Sequence, residues 1–72
     1  MEYTKEELIE AKRQIDSTLH KLRETIKTFE EKENPQRYRS QITLAKRRIK
    51  AFEIAAHFIE NEIENSYPAH SI

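Results

Sequence analysis

His57 and Glu60 form an H-x-x-E pair with Glu53 one turn earlier, and Asp16, His20 and Glu24 follow one another at steps of four. Imidazoles and carboxylates at such spacings can converge on a divalent cation inside a helical bundle. A second chemical candidate is the run Lys46-Arg47-Arg48-x-Lys50 with Arg37 and Arg39 upstream: six cations and no acid between Gln36 and Lys50. Such a segment can neutralise phosphates, with Tyr38 available to stack on a base. Nucleophilic chemistry has no such foothold. The chain holds no cysteine and no glycine, and Ser17, Ser40, Ser66 and Ser71 have no base and orienter at a useful spacing. No enzyme and no cofactor are expected.

What these residues can do depends on the elements that hold them. Tyr38, Ile42, Ala45, Ile49, Phe52, Ala56, Ile59 and Ile63 succeed one another at steps of 4, 3, 4, 3, 4, 3 and 4. This unbroken heptad stripe is the pattern of a long helix packed along its length against other helices. With Ile42 at position a, His57 falls at b and Glu53 and Glu60 at e, outside the seam. His20 and Glu24 fall on the polar face of the first helix, and His70 in a terminal tail. Solvated surface, with no metal, is the expectation for all of them.

The first helix has a well-marked start. Thr4 is placed as N-cap with Glu7 three residues on, a capping box. Tyr3 and Leu8 are spaced for a hydrophobic staple, and Glu6 and Glu7 suit the positive end of the helix dipole. Its inward stripe runs Leu8, Ala11 or Lys12, Ile15, Leu19, Leu22, Ile26 and Phe29. The polar run Glu30 to Asn34 supplies a turn, Asn34 is a candidate N-cap, and Pro35 a candidate first helical residue. Ser40 marks a second start, one turn later. Pro68 blocks continuation past about Asn65. The reading is all-α: an antiparallel two-helix hairpin over about 5–32 and 35–65, in one domain spanning 1–67, with a loose tail over 68–72.

Composition agrees. Apolar residues are 36% of the 72, and an equal share is charged, which suits amphipathic helices better than a compact globule. Without cysteine, disulfides cannot brace so short a chain, so self-association is the expected source of further burial. No apolar run approaches the ~20 residues that span a bilayer, and Met1-Glu2-Tyr3 does not open a signal peptide, so no membrane and a cytoplasmic setting are expected.

The second helix carries more apolar surface than one partner helix can cover. Leu44, Ala51 and Phe58 fall at c and Ala55 at g, beside the stripe members Phe52 and Ile59. These six are the expected oligomer interface, in a symmetric dimer of hairpins that forms a four-helix bundle. The net charge of zero hides a segregation: after Ala51 come four glutamates and no Lys or Arg. The basic segment Arg37, Arg39, Lys46, Arg47, Arg48 and Lys50 is expected to pair within the hairpin with Glu24, Glu30, Glu31 and Glu33, or with acids of a second subunit. The charge order further predicts helix two crossing helix two of the other subunit in antiparallel sense. A small interaction module, self-associating and open to another protein, is the leading functional reading. A nucleic-acid-associated accessory protein using residues 37–50 is the alternative.

From Tyr3-Thr4-Lys5-Glu6-Glu7-Leu8 through Ala45-Lys46-Arg47-Arg48-Ile49-Lys50-Ala51-Phe52-Glu53-Ile54, the chain resembles short uncharacterised helical-hairpin proteins of Gram-positive bacteria. The resemblance implies a bacterial, cytoplasmic source and carries no activity and no functional residues.

Overall fold

The computed structural model describes residues 2–65. The tail expected over 68–72, with Pro68 and His70, lies outside the described residues. Two helices, α1 (Lys5–Glu30) and α2 (Arg39–Asn65), pack along each other as an antiparallel hairpin, joined by a turn and a 3₁₀ segment at Pro35–Tyr38. At 1.5 Å per residue each helix is about 40 Å long.

Helix α1 starts where its residues dictate. The Thr4 hydroxyl accepts a hydrogen bond from the Glu7 amide at 3.0 Å, and the Thr4 amide donates to the Glu7 carboxylate at 2.9 Å. This capping box satisfies two of the amides that a helix start leaves without partners. Tyr3 remains exposed, and with Leu8, Ala11 and Ile59 it lines one open depression.

The other end of α1 stops at Glu30, two residues short of expectation. The Glu31 amide is shared between the Lys27 and Thr28 carbonyls at 3.1 and 3.3 Å, and Lys32 donates to Phe29 at 3.2 Å. These three-residue bonds tighten the last turn. With no glycine in the chain, a left-handed C-cap has no ready residue, and no described residue has positive φ. The helix therefore ends by winding up rather than by reversing hand.

The second helical segment begins at Pro35 as expected, but its first four residues are 3₁₀ and α2 proper starts at Arg39. Asn34 makes no side-chain cap; its carbonyl instead accepts from the Arg37 amide at 3.0 Å. Ser40 stands inside the first turn of α2 and not at its cap. The tighter winding brings Tyr38 against Phe29, rings stacked with centroids 4.8 Å apart and planes 16° from parallel. That stack closes the turn end of the hairpin.

Both inward stripes hold. On α1, Leu8, Ala11, Lys12, Ile15, Leu19, Leu22, Ile26 and Phe29 are partly or wholly covered, and on α2 so is every member of the heptad stripe from Tyr38 to Ile63. Full burial is scarce: only Leu19, at 5% exposure, and the two alanines Ala45 and Ala56 reach it among the described residues. Two helices in contact cover one side of each other and leave the seam edges wet. Each half-covered leucine or isoleucine then contributes less than the roughly 1.5–3 kcal/mol of complete burial.

Candidate interaction surface

Helix α2 presents three surfaces: the seam toward α1, an apolar flank on one side and a charged flank on the other. Of the six residues expected at an oligomer interface, Phe52 and Ile59 sit half-buried in the seam, where they already pack on α1. Ala55 is half-buried beside them, whereas Leu44, Ala51 and Phe58 stand exposed. Phe58 is 66% exposed and Leu44 48%, with Ile54 farther round the same helix also at 48%. The Phe58 ring meets the edge of His57, centroids 6.0 Å apart. A phenyl ring and a leucine side chain thus stand in water along one helix face, about four turns apart.

The charged flank departs from expectation. Among the described residues, no carboxylate lies within 4 Å of Arg37, Arg39, Lys46, Arg47, Arg48 or Lys50. The expected pairing with Glu24, Glu30, Glu31 and Glu33 inside the hairpin is therefore not formed. Heptad position explains much of this. Arg47 and Lys50, at f and b, are turned from α1, and Arg48 lies on the apolar flank. Only Arg39 and Lys46, at e, border the seam; with Glu30 they line an open depression beside Pro35 and Thr43 without closing into an ion pair.

The ion pairs between helices run with the opposite polarity, from cations of α1 to acids of α2. Arg23 meets Glu53 at 2.6 Å, and Lys12 meets Glu60 at 3.0 Å while also holding Asp16 at 2.7 Å. Lys12, the one interruption of the α1 stripe, keeps its stem in the seam with only 22% of its side chain exposed. Hydrogen bonds to Asp16 and then Glu60 hold its ammonium above the ordinary lysine value of 10.5. Sequence reasoning left Glu53 and Glu60 as solvated surface. The available signal was that both occupy position e, seven residues apart, opposite cations in an antiparallel register.

The metal candidates stay apart. Among the described residues no three His, Cys, Asp or Glu side chains are grouped to hold an ion. His57 instead lies 3.4 Å from the Asn61 amide, and Asp16 is taken by Lys12. His20 and Glu24 are exposed on α1. Neither helix is long and apolar enough to cross a membrane. Compared with protein-family models, curated proteins and solved structures, the chain has no match.

Proposed function

We propose that this hairpin is a self-associating protein–protein interaction module, dimerising through the exposed flank of α2 into a four-helix bundle. The observation that carries the reading is the exposure of Phe58 and Leu44 on a helix whose adjoining inward stripe is already covered by α1. Apolar surface of this kind is stabilised by a second layer of helices, and the scarcity of fully buried residues leaves room for that stabilisation. Sedimentation equilibrium is the test. A mass twice the chain's 8.7 kDa at micromolar protein is expected, and a single-chain mass up to high micromolar protein would refute the proposal.

A second reading has its own observation. Among the described residues the cations of 37–50 have no carboxylate partner, which leaves them available to phosphates. Under that reading, duplex or single-stranded probes shift at low salt, the affinity falls steeply as salt rises, and Arg47→Glu with Lys50→Glu abolishes the shift. No shift at low salt removes it.

A further inference from the structure

Beside the inward stripe of α2 runs a second one: Leu44, Arg48, Ala51, Ala55, Phe58 and Glu62, at steps of 4, 3, 4, 3 and 4. Each member stands one residue before a member of the inward stripe, so the second stripe lies about 100° round the helix from the first. A helix in a four-helix bundle meets its two neighbours roughly a right angle apart. All six are exposed except Ala55, which is half-buried. The stripe has an internal order: a cation before the alanines, an acid after them, and polar Gln41 and Asn65 beyond its ends. Neither Arg48 nor Glu62 has an ion-pair partner among the described residues.

Resting on the dimer proposed above, we infer that this stripe is the seam to a second copy of the chain, paired antiparallel in one register. In that register Ala51 of one copy packs on Ala55 of the other at the two-fold axis, where small side chains let the helices approach closely. Arg48 lies over Phe58 of the other copy, its aliphatic stem on the ring, and its guanidinium reaches Glu62 one turn on. Leu44 covers the stem of Glu62 from the other side, and the polar Gln41 and Asn65 close the ends. The two-fold axis makes every contact twice. A parallel pairing would set Arg48 against Arg48 and Glu62 against Glu62, and the stripe would repel itself at both places.

The full chain is compared by sedimentation equilibrium with Arg48→Glu, Glu62→Arg and the double variant, with circular dichroism reporting helix content. Each single reversal is expected to weaken dimerisation about tenfold, because two like-charge contacts replace two opposite ones. The double variant should return to within about threefold of the parent, and an equimolar mixture of the two single variants should form a heterodimer. If a single variant loses helix on its own, the double variant and the mixture still read the contact. Single variants that dimerise as tightly as the parent overturn this register but leave the dimer proposal standing. A double variant no tighter than the singles overturns it too. A parent chain that stays monomeric removes both.

Discussion

Lys12 shows how much one residue can reconcile. It stands in an apolar stripe, yet it ties Asp16 on its own helix to Glu60 across the seam, at the end of the hairpin where Glu2 and Glu62 also share a depression. Without a cation there, acids of both helices would face one another, and exposed like charges of this kind cost a few tenths of a kcal/mol per pair. Lys12→Gln keeps most of the stem and removes the charge. It should lower stability at neutral pH by roughly 0.5 kcal/mol, read from the urea midpoint. The pH dependence has a definite sign. The folded-state value of Lys12 is raised, so its contribution is complete below the unfolded value of 10.5 and is lost as pH climbs through the folded value. The gap between parent and variant should accordingly close in strongly alkaline solution. A gap of constant size at every pH would show that the stem, not the charge, matters. This role was only half legible. The sequence places Lys12 on the seam, but the identity of its partner depends on the register between helices, which periodicity within one helix does not set.

At the scale of elements, starts were more legible than stops. The capping box at Thr4 and Glu7 is local chemistry, written in four residues and formed as written. Thr4→Ala should cost about 1 kcal/mol, seen as a lower thermal midpoint and fraying of the first turn in hydrogen exchange. An unchanged midpoint would mean that packing alone fixes the start of α1. The turn was harder to read. Pro35 does open the second helical segment, but as 3₁₀, and Tyr38 at its end stacks on the ring of Phe29. That contact joins residues on different elements, so no local propensity predicts it. Tyr38→Ala removes a stacked aromatic worth about 0.5–1.5 kcal/mol beyond its area. The loss should appear as faster amide exchange from Asn34 to Ser40, with less effect near Thr4. The stripes themselves, at 3–4 spacing on both helices, were fully legible, since a repeat that long admits few other folds. The charged flank was not, because opposite sign predicts attraction without saying which rotations around the helix bring the partners close.

For the molecule as a whole, the proposed dimer makes the exposed flank of α2 the place to perturb. Phe58→Glu should weaken self-association at least tenfold, while Arg47→Glu, on the outer face, should leave it nearly unchanged. Equal effects at the two positions would place the interface elsewhere. If a second copy supplies much of the burial, the thermal midpoint must rise with protein concentration, since binding to the folded state alone stabilises it by mass action. The stack of Phe29 on Tyr38 has a further consequence, in time rather than in energy. It pins a connection only a few residues long, so one short loop closure brings the two helices into line, and the contacts that follow can form like the teeth of a zip. Chains of such low contact order fold on the microsecond-to-millisecond scale. Docking of two hairpins is bimolecular and obeys another clock. If two hairpins dimerise as proposed, refolding should show two phases, a fast one indifferent to protein concentration and a slower one whose rate climbs with it. Tyr38→Ala should slow the first, and Phe58→Glu should erase the second.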